Sequence, residues 1–205
     1  MGPDKVWYAG YGSNLDADRF HCYLMGGCPP GAVRTYPGAR EPGEPLDSQP
    51  FTMPGRVAFA WRSPTWGGGI AFHEPDVAGE TLARAYLVTV GQFADILEQE
   101  MGREPGVDHD LTEVLAGGRH TVGPGRYETL HLAGELDGRP VLTFSTPDVE
   151  RLGLRAPAPA YVETMARGLR ETHDLTVAEL VDYVLSCRGA ESGWTRDGLS
   201  ELLAA

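Results

Sequence analysis

Short apolar segments of strand length occupy the first two thirds of this 205-residue chain, and most of the connections between them are too short to hold a crossover helix. Repeated β-α-β units are therefore disfavoured. Helical segments are interspersed among the strands and then cluster after the Pro-rich stretch RAPAPAY. We predict an α+β fold, with a small mixed, strongly curved sheet or barrel of about six strands flanked by helices. The length suits a single domain over residues 1–205.

Local signals place the main elements. Strands are predicted at 6–12, 57–61 and 81–90, and residues 63–75 are predicted to hold a glycine turn followed by another strand. An Asp137-Gly138 turn predicts a hairpin over 126–146. Helices are predicted at 15–25, 91–101, 111–116, 161–172 and from 176 onward. Two of them begin with a capping box, Thr89…Gln92 and Thr176…Glu179. The Gly- and Pro-rich residues 26–50 are predicted to form a long surface loop.

The bulk charge limits the partners that the chain can attract. A formal net charge of −12 and a pI near 4.8 argue against binding to nucleic acid or to an anionic membrane. The sequence has no apolar run near the ~18 residues of a membrane span and no secretory signal pattern. Its three cysteines lack zinc-like spacing and are taken as reduced thiols. We expect a cytoplasmic protein and leave a homodimer open.

The first strand ends in the small residues Gly12, Ser13 and Asn14, immediately before a predicted helix. Backbone N–H groups at a helix N-terminus, uncrowded by side chains, can bind an anion. An ordinary strand-to-helix connection, capped by Ser13 or Asn14, is the alternative explanation.

Glu100 is the candidate for chemistry. On the helix that begins near Gly91, it shares a face with Phe93 and Leu97, whereas Asp95, Glu98 and Gln99 are expected to point elsewhere. A carboxylate on an apolar face must be paired, protonated or functional. The alternative is that the helix ends at Glu100 and frays into solvent.

Other candidate sites carry less information. The glycines of WGGG, residues 66–69, fit either a close approach of a ligand or a flexible turn. Tyr127 and Tyr161 fit pocket hydroxyls or core residues equally well. The six histidines show no two-histidine metal spacing, and there is no G-x-S-x-G serine motif.

Four of these segments resemble the gamma-glutamylcyclotransferase family, in the same order over about residues 6–185. YGSNL (residues 11–15) resembles the family's signature loop, and WGGGIA (66–71) resembles its Trp-x-Gly-Gly-Ile-Ala stretch. LEQEMG (97–102) is similar to the helix end that carries the family's catalytic glutamate, which places Glu100 there. PAY (159–161) matches the Pro-x-Tyr before the C-terminal helices.

The resemblance implies an enzyme that cleaves a γ-glutamyl amide by attack of the substrate's own α-amine, releasing 5-oxoproline and a free amine or amino acid. Backbone amides of the loop would hold the α-carboxylate, and Glu100 would move the proton from the amine to the leaving group. Intramolecular attack benefits from orientation, so no cofactor and no metal are expected. The implied substrate-binding residues are Tyr11, Gly12, Ser13, Asn14, Leu15, Tyr127 and Tyr161.

Three features depart from the family pattern: Met101 replaces a glycine, Phe144 stands where relatives often carry a tyrosine, and residues 102–125 form a longer segment. We expect that segment to lie over the mouth of the pocket and to set leaving-group preference. The leaving group itself is not specified; glutathione, a γ-glutamyl-amino acid, a γ-glutamylamine and a specialised metabolite all fit. A non-catalytic binding module of the same fold, and an amidohydrolase or acyltransferase acting on another small amide, also stay open.

Overall fold

The computed structural model describes residues 2–29 and 35–204. The chain divides into two compact units, the first comprising residues 1–10, 17–51 and 84–147 and the second residues 11–16, 52–83 and 148–205. The prediction of a single domain over residues 1–205 stays a prediction. Part of the predicted 26–50 loop, residues 30–34, lies outside the described residues.

The elements follow one another along the chain as short strands and helices. The strands are β1 (Lys5–Gly10), β2 (Asp47–Pro54), β3 (Arg56–Ala60), β4 (Ile70–Glu74), β5 (Glu80–Thr89), β6 (Arg119–Thr121), β7 (Thr129–Leu136) and β8 (Arg139–Ser145). The α-helices are α1 (Ala17–Met25), α2 (Val90–Glu100), α3 (Thr112–Gly117), α4 (Pro159–His173), α5 (Val177–Ser186) and α6 (Arg196–Ala204). Single 3-10 turns occur at Ser13–Leu15, Glu150–Leu152 and Ala190–Ser192.

A six-stranded sheet has the order β2-β5-β1-β8-β7-β6. It is mixed, because β1 runs parallel to β8 and antiparallel to β5. The β7–β8 and β6–β7 pairs are antiparallel. The predicted α+β class with about six strands in a mixed sheet is therefore confirmed. Since β2 and β6 are edge strands, the sheet is not closed into a barrel.

Aromatic side chains form the core of the first unit. Tyr8 of β1 stacks on Phe20 of α1 and on Phe144 of β8, with ring centroids 5.5 and 5.1 Å apart. Phe20 also stacks on Tyr86 of β5 at 3.8 Å, and Phe93 of α2 meets Tyr8 edge-on at 6.1 Å. These contacts hold α1 and α2 against the sheet, because large aromatic surfaces are removed from water there.

The local signals that predicted element boundaries are confirmed. Thr89 and Gln92 form a complete capping box at the start of α2, and Thr176 and Glu179 form another at the start of α5. The β7–β8 hairpin turns at Asp137 and Gly138, both with positive φ, as a two-residue turn of this type requires.

The second unit contains the antiparallel pair β3–β4 and the helices α4, α5 and α6. The segment after α5 runs beside β3, where Arg188 N donates to Val57 O and Phe59 N donates to Arg188 O. Buried apolar residues of α4 and α5, among them Met165, Leu169 and Leu180, supply much of its core.

Four elements depart from the predictions. Strand β2 begins at Asp47, within the predicted loop, and strand β6 and helix α6 were not predicted. The predicted helix 15–25 begins only at Ala17, because Ser13–Leu15 forms a 3-10 turn and Asp16 is extended. Within residues 2–29 and 35–204, no helix combines the length and the apolar character needed to cross a membrane.

Candidate active site

The hydroxyl of Tyr161 is the point at which three of the family-like segments meet, all within the second unit. Its oxygen accepts hydrogen bonds from the backbone N–H of Ser13 at 3.3 Å and of Ala71 at 3.0 Å. Its ring also meets Trp66 edge-on, with centroids 5.1 Å apart. The YGSNL loop, the WGGGIA segment and the PAY motif are therefore joined through one buried side chain.

Helix α4 holds the loop in its conformation. Gly168 allows the close approach, because a Cβ there would lie 2.3 Å from the carbonyl carbon of Leu15. Arg167 on the same helix pairs with the buried Asp16. These contacts explain why α1 does not start at Leu15: the loop is bound to α4 and Asp16 is held extended. The predicted N-cap role of Ser13 or Asn14 is wrong, since the turn begins at Gly12 without a side-chain cap.

The amides of the loop are partly engaged within the protein. Leu15 N–H donates to Gly12 O at 3.0 Å, and Ser13 N–H is directed at Tyr161. Tyr11 is buried, and its ring lies 5.7 Å from that of His73. The loop is thus a fixed turn whose shape depends on hydrogen bonds to its own carbonyls and to Tyr161.

The glycines of WGGG allow another segment of the backbone to pack closely against them. A Cβ on Gly69 would lie 2.0 Å from Arg155 O, and one on Gly68 would lie 2.4 Å from Ala158 N. Gly69 N–H donates to Ala156 O at 2.8 Å. The sequence allowed a close approach of a ligand or a flexible turn here. The structure shows a third reason for the glycines: the backbone of residues 155–158 packs directly against them.

Glu100 lies in the first unit as the last residue of α2, half-buried. Its neighbours on the apolar face, Phe93 and Leu97, are fully buried as predicted. The fraying alternative is not supported, because the last turn of α2 is hydrogen-bonded: Met101 N–H donates to Leu97 O at 3.1 Å and Gly102 N–H to Gln99 O at 3.0 Å. The C-terminal turn is also held in place, since Arg126 donates to Glu100 O at 2.6 Å.

Asp95, Glu98 and Gln99, the residues expected to point away from the apolar face of α2, are all buried as well. Asp95 accepts from the backbone N–H and the Nε of Arg40, at 2.9 and 2.8 Å. Gln99 Nε2 donates to the carbonyl oxygen of Tyr23 at 2.8 Å. Other segments of the chain cover this face, and Asp95 and Gln99 each form a hydrogen bond to one of them.

Glu98 anchors residues 102–128 to α2. It accepts from Arg103 at 2.6 and 2.8 Å and faces His109 Nε2 at 2.9 Å. Arg103 reaches the buried Glu128 as well, at 2.6 Å. The hydrogen bonds from Arg103, followed by those involving His109, lower the pKa of Glu98 although burial opposes this. The segment is therefore packed, and it contains α3 and the strand β6.

Arg19 of α1 is a buried charge that sequence reasoning missed. Its guanidinium donates to Tyr36 Oη at 3.0 Å and to Tyr23 Oη at 3.4 Å, and lies over both rings. Burial alone would lower its pKa, but Tyr23, Tyr36 and Glu100 outweigh it and the net direction is upward. The signal was present, because Arg19 and Tyr23 are spaced i, i+4 between the apolar residues of α1.

The predicted site residues thus form two groups. Tyr127 belongs with Glu100 to the first unit, where it is buried with its ring edge-on to Phe144 at 5.9 Å. The remaining predicted residues belong to the second unit and are gathered around one hydroxyl: Tyr11, Gly12, Ser13, Asn14, Leu15 and Tyr161. Over the described part of the chain, no group of three His, Cys, Asp or Glu side chains is arranged to hold a metal ion.

Known proteins resemble this chain in sequence and in fold. No protein-family profile matches it. A stretch of Histone deacetylase 5 from Arabidopsis thaliana is 31% identical over 198 residues, covering 87% of this chain. The chain spans 30% of the length of that curated relative, so the name describes a larger protein of which only one part resembles this chain.

Among solved structures, an uncharacterised human protein matches with a TM-score of 0.53 at 15% identity, covering 99% of this chain and 100% of the human one. A protein named Gamma-glutamyl cyclotransferase matches with a TM-score of 0.48 at 15% identity, covering 98% of each chain. At such identities the likeness concerns the fold alone.

Proposed function

We propose that this protein is a gamma-glutamylcyclotransferase-type enzyme, which converts a γ-glutamyl amide into 5-oxoproline and a free amine or amino acid. The observation that carries the proposal is the junction at Tyr161, where the segments that resemble the family's signature loop, its Gly-Gly-Ile-Ala stretch and its Pro-x-Tyr motif are bonded together. Glu100, at the end of a helix packed against the sheet, supplies the acid/base group.

The reaction needs one group that both accepts and returns a proton. Glu100 takes one proton from the substrate's α-ammonium, and the freed amine attacks the γ-carbonyl to give a cyclic tetrahedral intermediate. The attacking nitrogen then loses a second proton, and the lactam carbonyl re-forms as the bond to the leaving nitrogen breaks. The leaving nitrogen takes up one proton from Glu100 and one from solvent, so that 5-oxoproline and an ammonium product are released. Because nucleophile and carbonyl belong to one molecule, binding in a bent conformation supplies much of the rate enhancement.

Binding of the γ-glutamyl group is assigned to the loop from Tyr11 to Leu15 together with Tyr161, and Tyr127 is kept as a proposed substrate-binding residue. A carboxylate bound by backbone N–H groups needs side chains that leave the backbone accessible, and Gly12 satisfies this. The leaving group is not assigned. Glutathione, γ-glutamyl-amino acids, γ-glutamylamines and γ-glutamylated specialised metabolites are the classes to compare.

The test is mass spectrometry of products after incubation with one member of each class in H₂¹⁸O. Cyclisation releases 5-oxoproline without ¹⁸O, whereas hydrolysis yields glutamate that carries ¹⁸O. Spontaneous cyclisation is subtracted with a reaction that contains Glu100→Gln. Unlabelled 5-oxoproline formed by the wild type, with turnover unaffected by chelation, supports the proposal. Labelled glutamate would identify an amidohydrolase, and binding without any product would identify a binding module.

A further inference from the structure

Arg103 joins two buried carboxylates that belong to different segments of the first unit. Its Nε and Nη2 donate to the two carboxylate oxygens of Glu98 at 2.6 and 2.8 Å, and Nη2 also donates to Glu128 at 2.6 Å. Glu98 and Glu128 are 2% and 5% exposed. Two buried carboxylates side by side repel each other, and a cation shared between them offsets that repulsion. The guanidinium is therefore a bridge between the last turn of α2 and the segment just before β7.

The segment before β7 also packs directly on the end of α2. Gly125 N–H donates to Glu128 Oε2, and a Cβ on Gly123 would lie 2.6 Å from the carboxyl carbon of Glu128. A Cβ on Gly125 would lie 2.2 Å from Cε of Met101, the residue that follows Glu100. The glycines thus let the loop close around the Glu128 carboxylate and against the C-terminal end of α2.

Two residues that the proposed function uses lie within the two bridged segments. Glu100 comes two positions after Glu98, and Tyr127 directly precedes Glu128. Arg126 makes a second connection, because its Nη2 donates to the carbonyl oxygen of Glu100 at 2.6 Å. The guanidinium of Arg126 also lies over the Tyr127 ring, 5.7 Å from its centroid. The position of Tyr127 relative to Glu100 therefore depends on two connections between their segments.

We propose that Arg103 is a positioning residue, whose bridge from Glu98 to Glu128 sets the position of Tyr127 relative to Glu100. For catalysis this rests on the proposed function, in which Glu100 moves the proton and Tyr127 contacts the substrate. An arginine suits this role, because its planar fork donates to both carboxylates at once, which a single ammonium group does not do in the same geometry. A displacement of about 1 Å between such groups costs on the order of 10²-fold in rate.

The test uses a charge-balanced variant, because removing Arg103 alone would leave two buried carboxylates without their cation. Glu98→Gln, Arg103→Met and Glu128→Gln are combined, which removes the bridge and both buried charges together. An amide oxygen at position 128 still accepts from Gly125 N–H. Tyrosines labelled with ¹³C in the ring report on Tyr127, whose NMR signal is assigned by its absence from Tyr127→Phe. We expect this signal to shift in the triple variant.

The reaction is measured on the same protein, at a temperature where both it and the wild type are fully folded. The kcat for a γ-glutamyl substrate should fall about 10- to 100-fold, with a smaller change in KM. A bridge that only stabilises the fold would leave kcat unchanged there. The matched control is Glu74→Gln with Arg188→Met and Glu150→Gln, which removes a bridge of the same composition from the second unit. It should change neither kcat nor the Tyr127 signal.

Each outcome decides the proposal. In the folded triple variant, a Tyr127 signal at its wild-type position or a wild-type kcat would overturn the role of Arg103, as would an equal loss of kcat in the control. If the wild type turns over no γ-glutamyl compound, the proposed function fails, and the Tyr127 signal still decides whether the bridge fixes that side chain. If the triple variant does not fold, Arg103→Lys replaces it, since it keeps a cation beside both carboxylates. A shifted signal with a lowered kcat then supports the proposal, and a wild-type value of either overturns it.

Discussion

The hydroxyl oxygen of Tyr161 occupies the space that a side chain on Gly12 would need: a Cβ built on Gly12 would lie 2.5 Å from it and 3.0 Å from the Cβ of Ala71. These two contacts oppose an alanine at this position, although Gly12 has a negative φ. The glycine of the YGSNL loop is therefore required because the loop and α4 touch at this point.

Gly12→Ala should displace the Tyr161 hydroxyl and weaken its bonds to Ser13 N and Ala71 N. We expect a loss of about 1–3 kcal/mol in the free energy of unfolding, the usual cost of overpacking, and a higher KM for the substrate. Urea unfolding and steady-state kinetics measure both. Gly117→Ala is the control, because a Cβ there meets nothing within 4 Å and it should not lower stability.

Tyr161→Phe removes the acceptor of both amide bonds and should itself cost about 1–3 kcal/mol. Combined with Gly12→Ala it should cost less than the sum of the two single changes, because the phenylalanine lacks the oxygen that the alanine would strike. A double-mutant cycle measures this coupling. Strict additivity would show that the two residues do not meet as described.

Glu100→Gln should fold like the wild type and lower kcat/KM about 10²- to 10⁴-fold, since the amide cannot carry the proton. Thermal melting and 5-oxoproline formation are the measurements. Glu201→Gln, at an exposed position of α6, is the control and should retain full activity. Activity close to that of the wild type in Glu100→Gln would rule out the acid/base role.

His173 provides a prediction for stability against pH. Its half-buried ring bonds to Ala83 O at 2.9 Å, and its pKa is lowered by burial, against the effect of that bond. The unfolded chain takes up this proton below about pH 6.5, while the folded chain resists it. The contribution of His173 to the free energy of unfolding is therefore full above that pH and is lost as the pH falls. We expect the free energy of unfolding, measured with urea, to fall less between pH 7.5 and pH 5.5 in His173→Gln than in the wild type.

Residues 102–125 remain our proposed determinant of the leaving group. Of the four acidic residues in the segment, Asp108 is bonded to Arg40 and Asp110 to Thr112, whereas Glu104 and Glu113 are exposed. Reversing both exposed charges to lysine should lower the preference for a cationic over a neutral leaving group about two- to fivefold, because exposed charges interact by on the order of 1 kcal/mol. Glu201→Lys, on α6, is the control. If the ratio of kcat/KM between the two kinds of leaving group is unchanged, the segment does not determine leaving-group preference.

Replacing residues 103–122 by a short Gly-Ser link would not test leaving-group specificity alone, because it would also change the stability of the protein. The replacement removes Arg103 and His109, and leaves Glu98 and Glu128 buried without these partners. Breaking a buried ion pair costs about 3–5 kcal/mol, so the variant should be strongly destabilised. Its melting temperature, compared with that of the double lysine variant, measures this cost.

The sequence by itself determined those features whose cause lies within a few residues. Both capping boxes and the Asp137-Gly138 turn form as predicted, because each depends on hydrogen bonds or φ values between neighbouring residues. The mixed six-stranded α+β arrangement also followed from strand lengths and spacing. The family-like motifs selected Glu100 and Tyr161 before their surroundings were known.

Tertiary structure decided the features that depend on distant segments. The buried polar face of α2, the late start of α1 and the need for glycine at position 69 come from contacts with residues far along the chain, which no local pattern encodes.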